Sequence, residues 1–253
     1  MDRSPRTIAV VSLVAVLLAA GCLGGLTGED RTAEEIQNDA LAAMESVESY
    51  SFDLTMTMSI DSESSSGFMA GPFEIDVEGA VDILRERMQM TMSMPMIGSV
   101  DTYIVNDTMY TMSPVSGEWT TEPAPGDVFE TATMDLEDQR KVLENANVTH
   151  EGTEELGDRT VNVLRLNASG QTVAELLSED LEGGELPQSS FGNATFEQFD
   201  IVFYLGQDDN LLYRMTLDAN ISSTMGSMDL GMEMTFDDYN QEFDIQPPDE
   251  ARD

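Results

Sequence analysis

One cysteine, one histidine, one tryptophan and 11 basic residues are all that this 253-residue chain has of four chemically informative kinds. With a lone cysteine, an internal disulfide is impossible. With a lone histidine, His150, a Ser-His-Asp site would depend on one position, and nothing near it suggests a nucleophile. His150 reads as a surface strand residue, not a ligand. Neither G-x-S-x-G nor H-E-x-x-H occurs, so hydrolysis has no support. The chain is read as non-enzymatic, with no cofactor and no dedicated metal site. The shortage of lysine and arginine leaves no basic patch to neutralise phosphates, which excludes a nucleic-acid partner.

What is abundant is acid. Forty-nine aspartates and glutamates give a formal net charge of −38. They are spread from Glu29 to Asp253, not gathered in one tail. Such a surface repels itself at low ionic strength. At molar salt the Debye length is about 3 Å and most of that repulsion is screened. The pattern looks like whole-surface adaptation to salt, as in haloarchaeal proteins. The chain is 41% hydrophobic and alternates regularly, which argues against an acidic disordered polymer.

The cysteine lies at a telling place. Arg3 and Arg6 precede an uncharged run, Thr7 to Ala20, which ends in Leu18-Ala19-Ala20-Gly21-Cys22. A basic start, an apolar core and small residues make an export signal. The end of the run resembles a lipobox, with Ala19 at position −3 and the leucine one earlier. This predicts cleavage before Cys22, acylation of Cys22, and a protein held by lipid on the outer face of a cell membrane. An uncleaved anchor is the competing reading, since Thr7–Leu26 is 20 residues, about enough to span a bilayer. No Arg-Arg pair supports a twin-arginine route. Sequons at Asn106, Asn147, Asn167, Asn193 and Asn220 suit a secreted chain.

The expected organisation is a signal over 1–21, lipidated Cys22 and a tether over 22–31, one domain over 32–248, and an acidic tail over 249–253. Thr32 reads as an N-cap with Glu35 three residues on. Ile36, Ala40, Ala43, Met44 and Val47 then predict a helix over 33–48. From Tyr50 the period becomes two, with Phe52, Leu54, Met56, Met58 and Ile60 on one face. A loop over 61–67 precedes a strand holding Phe73, Ile75 and Val77, and a second strand is expected over 80–96. Strands over 100–105 and 108–113 flank Asn106-Asp107, a hairpin signal. Trp119 sits on a short strand. Helices are expected over 135–146 and 171–181, with a loop over 185–193. Hairpins are expected over 147–167, turning at Leu156-Gly157-Asp158, and over 196–221, turning at 207–210. A last strand covers 227–237. The class is α+β, with consecutive hairpins favouring one curved antiparallel sheet.

Several stretches resemble a known group. They are Ala33-Glu34-Glu35-Ile36 leading into Val47-Glu48-Ser49-Tyr50-Ser51-Phe52, then Tyr103-Ile104-Val105-Asn106-Asp107-Thr108-Met109-Tyr110 with Trp119. Glu155-Leu156-Gly157-Asp158-Arg159, Leu211-Leu212-Tyr213-Arg214-Met215 and Phe236-Asp237-Asp238-Tyr239-Asn240 follow. Over roughly residues 32–248 the chain resembles the LolA/LolB-like lipoprotein-carrier superfamily. It is also similar to mycobacterial lipoproteins that carry acylated lipids and to exported lipoproteins of haloarchaea. The resemblance implies an unclosed half-barrel, strongly curved, with helices over its concave face and acyl chains between. It implies no catalytic residue, and fold likeness does not fix a cargo.

Eighteen methionines are the other signal. Met56 and Met58, then Met88, Met90, Met92, Met94 and Met96, then Met232 and Met234 alternate along expected strands. A thioether chain is flexible and polarizable, so a methionine-lined face can reshape around varied apolar ligands. A packed core reads the same way. Thioethers also suit Cu(I), although alternate strand residues lie about 7 Å apart. The functional expectation is therefore a membrane-anchored lipoprotein that binds a lipid or other long apolar molecule. The candidate lining is Met56, Met58, Met88, Met90, Met92, Met94, Met232 and Met234. The helices 135–146 and 171–181, or the loop 183–195, would serve as lid. The alternatives are a packed-core envelope protein that binds a protein partner and a methionine-based Cu(I)-binding protein. Tyr50, Phe52, Tyr103, Tyr110, Trp119 and Tyr213 are expected in the core.

Overall fold

A computed structural model describes residues 31–61, 72–124, 136–167, 195–223 and 226–251. Cys22, the tether up to residue 30, the helix expected over 171–181, the loop residues 183–194 and most of the loop over 61–67 lie outside the described residues. The described part is mostly β. Eleven antiparallel strands form one sheet, and two short helices accompany them. The antiparallel sheet with accompanying helices is as expected, and within the α+β expectation the strands hold most of the described structure.

The strands are β1 (Ser49–Asp61), β2 (Phe73–Asp82), β3 (Arg87–Met94), β4 (Gly98–Val105), β5 (Thr108–Met112) and β6 (Trp119–Pro123) in the first half. The second half has β7 (Val148–Leu156), β8 (Arg159–Leu166), β9 (Thr195–Gly206), β10 (Leu212–Ser223) and β11 (Gly226–Asp237). Their order is β6-β5-β4-β3-β2-β1-β11-β10-β9-β8-β7. Two meanders are thus joined where the first strand meets the last. The sheet is unclosed, and its edges come from mid-chain. Both edges are blunted against further pairing. Strand β6 is short and ends in Pro123, while β7 carries Glu151, Glu154 and Glu155 and a register shift at His150/Gly152.

Turn chemistry places the hairpins. Asn106 and Asp107 both have positive φ, 52° and 59°, the left-handed pair that a two-residue hairpin turn needs. The strand expected over 80–96 is instead two strands around a turn at Ile83–Glu86. Asp82 accepts from the Arg85 amide at 3.0 Å and from its guanidinium at 2.7 Å, and Glu86 takes φ 49°. Met96 consequently lies beyond β3, in the β3–β4 turn.

Helix α1 (Ala33–Met44) is shorter than the expected 33–48. Glu34 and Glu35 favour its positive N-terminal end. Ile36, Ala40 and Met44 form one buried stripe. It stops because Ser46 folds back onto the Ala43 carbonyl, through its amide at 3.1 Å and its hydroxyl at 2.7 Å. Helix α2 (Leu136–Glu144) lies beside α1. The Gln37 side-chain amide donates to the Leu143 and Ala146 carbonyls, which ties the two helices together.

The main core unites Ile36, Ala40 and Met44 of α1 and Leu143 of α2 with one face of the sheet, including Tyr50, Phe52, Met88, Phe203, Met234 and Phe236. A second, smaller cluster sits on the opposite face. There the chain after β11 packs Ile245 and Phe243 against Ala80, Val105 and Tyr103. It continues to a 3-10 turn, Asp249–Ala251, whose last residue is buried and accepts from the Thr121 hydroxyl at 3.3 Å. The expected acidic tail thus includes a docked turn.

A tyrosine latch holds the ends of β8 to β11. The Tyr239 hydroxyl donates to the Leu212 carbonyl, and the Tyr213 hydroxyl donates to Asp209 at 2.6 Å. Arg159 lies 4.2 Å from the Tyr213 ring centroid and 3.0 Å from Asp237. Burial, then the hydrogen bond and charge of Asp209, pushes the Tyr213 phenol up to about 12. Burial also raises Tyr239 well above the usual phenol range. A folded pKa above the unfolded value near 10 means stability that is full below about pH 10 and lost as pH rises through the folded value. We expect urea midpoints to fall between pH 10 and about 12. In Tyr213→Phe/Tyr239→Phe that fall should flatten. A double variant with the same alkaline slope would refute this role.

Candidate functional site

Strand register, not sequence proximity, builds the candidate surface. On β1, Phe52, Leu54, Met56 and Met58 stand opposite Phe236, Met234, Met232 and Leu230 of β11. On their other side they face Gly79, Val77, Ile75 and Phe73 of β2. Val77, Gly79 and Val81 then face Met92, Met90 and Met88 of β3. Following these registers, eleven methionines share one sheet face: Met56, Met58, Met88, Met90, Met92, Met94, Met109, Met215, Met228, Met232 and Met234. Eight of them are the candidate lining, which the alternation gave as separate strand sets. Met109, Met215 and Met228 were not singled out, because each needs its partner strand to show its face.

Burial along this face changes in one direction. Phe52 and Leu54 are buried, whereas Met56 and Met58, further along β1, are half-buried. Val81 and Val77 of β2 are buried, and Ile75 and Phe73 are half-buried. On β3, Met88 is fully buried, and Met90, Met92 and Met94 are half-buried. On β11, Phe236, Met234 and Met232 are buried, and Leu230 and Met228 are half-buried. The registers align these transitions, so the half-buried residues form one continuous apolar surface at the β1–β2 loop end. Strand β10 departs from the pattern, with Ala219 and Ile221 buried. Of the candidate lining, Met88, Met232 and Met234 are core residues. Met56, Met90 and Met92 pack against the core from its rim. Met58 and Met94 lie further out on the same face.

The remaining candidates are dispersed. Tyr50, Phe52 and Tyr213 are buried, as expected. Tyr103, Tyr110 and Trp119 are half-buried on the opposite face, with the Tyr103 and Trp119 rings 5.9 Å apart. His150 is half-buried on edge strand β7, its Nε2 buried without a hydrogen-bond partner. Among the described residues, no three His, Cys, Asp or Glu side chains come together to hold a metal. No described helix is long and apolar enough to cross a membrane.

The opposite face has different chemistry. A groove of about 430 Å³ opens over Gly231, bordered by Thr57, Asp200, Asp218 and Asp229. One of about 360 Å³ lies between Tyr103, Phe243, Gln89 and Glu78. Arg165 bridges Glu151, at 2.7 Å, and Asp200 across β7, β8 and β9. The hydrogen bond from Arg165 holds the Glu151 carboxyl below the usual range. These are polar, ion-paired surfaces, unlike the methionine face.

Comparison with known proteins gives a family and distant folds. A family model matches residues 32–253, and the chain belongs to that family, DUF6612, a family of unknown function. No curated protein matches the sequence. Among solved structures, the chain is similar to the lipoprotein LppX of Mycobacterium tuberculosis, at 12% identity and a TM-score of 0.48, over 85% of this chain and 100% of that one. It is similar to a LolA superfamily protein of Nitrosomonas europaea, at 10% identity and 0.28, over 87% and 96%. It is also similar to a structure of the MucA/MucB complex of Pseudomonas aeruginosa, at 10% and 0.36, over 85% and 60%.

Proposed function

We propose that this DUF6612 protein binds a lipid or other long apolar molecule along the half-buried end of its methionine face. It does so on the outside of the cell, held to the membrane through acylated Cys22. In this reading the sheet bends into a half-barrel, α1 and α2 close one end of its concave side, and the ligand lies against Met56, Met58, Met90, Met92 and Met94. The observation that carries the reading is the aligned loss of burial along β1, β2, β3 and β11. A core that ended in solvent would end in polar residues. Here the apolar alternation runs on past the packed region. Each methylene laid on such a surface is stabilised by about 0.8 kcal/mol. Methionine suits an unselective acyl site because its unbranched chain adopts many shapes at low cost. No reaction is proposed.

The test is equilibrium binding of a fluorescent long-chain fatty acid to the purified chain in molar salt. Met58→Asp/Met92→Asp should weaken binding at least about tenfold, since each change places a charge against the acyl chain. Met90→Leu/Met92→Leu/Met94→Leu, which keeps volume and apolarity, should bind as before. If the leucine variant loses Cu(I) uptake instead and the wild type ignores the fatty acid, the methionines are metal ligands. If none binds, the face serves a protein partner.

A further inference from the structure

The described part of the sheet has one end that breaks the rule of this chain's surface. In a protein with 49 acidic residues, Met88–Val100 and Thr108–Gly117 contain no charged residue at all. These two stretches hold the β3–β4 turn and all of the β5–β6 turn but Glu118, its last residue. Because β3 to β6 pair consecutively and antiparallel, both turns project from the same end of the sheet. They lie close together: a Cβ added to Gly98 would be 3.9 Å from the Pro114 carbonyl oxygen.

Their tips are apolar and open. Met96 is 81% exposed, Ile97 45% and Val115 91%. Among the large hydrophobic side chains exposed in the described residues, only Leu84 lies elsewhere, at the opposite end. Met96 also sits at φ 70°, left-handed backbone that favours glycine or asparagine. The other described non-glycine residues with positive φ are Glu86, Asn106, Asp107, Asn210, Asp238 and Asn240, all polar. An exposed methionine in that conformation costs backbone energy and gains no core contact. Trp119, the chain's one tryptophan, forms the last β5–β6 pair below the Val115 tip, opposite Met112.

We infer that the paired turns, with Met96, Ile97 and Val115 at their tips, form a membrane-contact edge that dips into the interfacial region of a lipid bilayer. The occupant follows from size and charge. Three convex side chains offer far less than the roughly 800 Å² per partner of a stable protein interface. A fluid bilayer needs no complementary pocket, and apolar tips with a tryptophan just behind them match the depth order of interfacial anchors. The charge-free runs let this edge approach zwitterionic headgroups with little repulsion in molar salt. The inference concerns the turn tips, beyond the proposed ligand face, and stands whether or not that face binds lipid.

Trp119 makes the test direct. The full chain is mixed with phosphatidylcholine vesicles whose acyl chains are brominated, in molar salt, and tryptophan emission is read. Quenching of about twofold or more is expected, with a blue shift. Met96→Asn/Val115→Ser should abolish it. Asparagine suits the backbone at 96, so circular dichroism should show the variant folded. Vesicle binding through the N-terminal segment leaves this readout intact, because only the tip brings Trp119 to the bromines. Unquenched wild-type emission, or equal quenching in the variant, overturns the inference. A wild-type dimer that the variant converts to monomer, with no quenching, assigns the tips to a second copy and overturns it as well.

Discussion

Phe236→Ala is expected to lower the unfolding free energy by about 3–5 kcal/mol, the range for deleting a buried aromatic ring. Phe236 is fully buried on β11, opposite Phe52 of β1, with its ring 5.9 Å from Tyr50. Its position makes the loss large. The β1–β11 ladder joins the two meanders, so the ring packs at the junction where the chain's halves meet. A cavity there is bordered by strands from both halves and cannot collapse from one side alone. Chemical unfolding in molar salt reads the effect, and Phe236→Leu, which refills most of the volume, should recover the greater part. A loss below about 1 kcal/mol for the alanine variant would mean that the two halves do not depend on this junction.

Gly79→Ala is expected to cost about 1–3 kcal/mol, the range for overpacking, although it adds a single methyl. A Cβ at position 79 would lie 2.6 Å from the Gln89 carbonyl oxygen and 2.7 Å from Cζ of Phe52. The Phe52 ring could shift. The Gln89 oxygen belongs to neighbouring β3, so relief there means moving a paired strand. The glycine lets Phe52 lie flat across β2 where the buried face begins to open toward Met90, its register partner on β3. Gly79→Ala should therefore disturb the proposed fatty-acid binding as well as stability. Gly117→Ala separates the two causes. Its backbone is left-handed at φ 70°, but nothing lies within 4 Å of its added Cβ, so any cost there is conformational and leaves the ligand face untouched. Equal stability losses with equal loss of binding would contradict this account of Gly79.

Much of the sheet was legible because period two is a strong signal and turn residues punctuate it. Asn106-Asp107 and Leu156-Gly157-Asp158 marked hairpins that the strands obey. The 80–96 error shows the limit. Val81 and Ile83 fall on odd positions and Met88 and Met90 on even ones, so the apolar phase slips across Leu84-Arg85-Glu86-Arg87, which a bulge within one strand or a turn between two would equally produce. What decides is Asp82 capping the Arg85 amide, a local hydrogen bond that alternation does not encode. The second small core was missed for a different reason. Phe243 and Ile245 are two apolar residues in an acidic stretch, and only the fold brings them onto Ala80 and Val105. The methionine set was legible as a face. Its division into a packed part and a half-buried part was not, because both use the same residues at the same spacing.

Native mass spectrometry of the purified full chain, prepared in molar salt, tests the central claim most directly. The account predicts a population carrying an added mass, released on activation as an acyl lipid, and lost in Met58→Asp/Met92→Asp. Covalent acylation at Cys22 would survive activation and so stay distinct from a ligand. A chain that shows no releasable adduct, and acquires none when incubated with lipid extract, would contradict the claim.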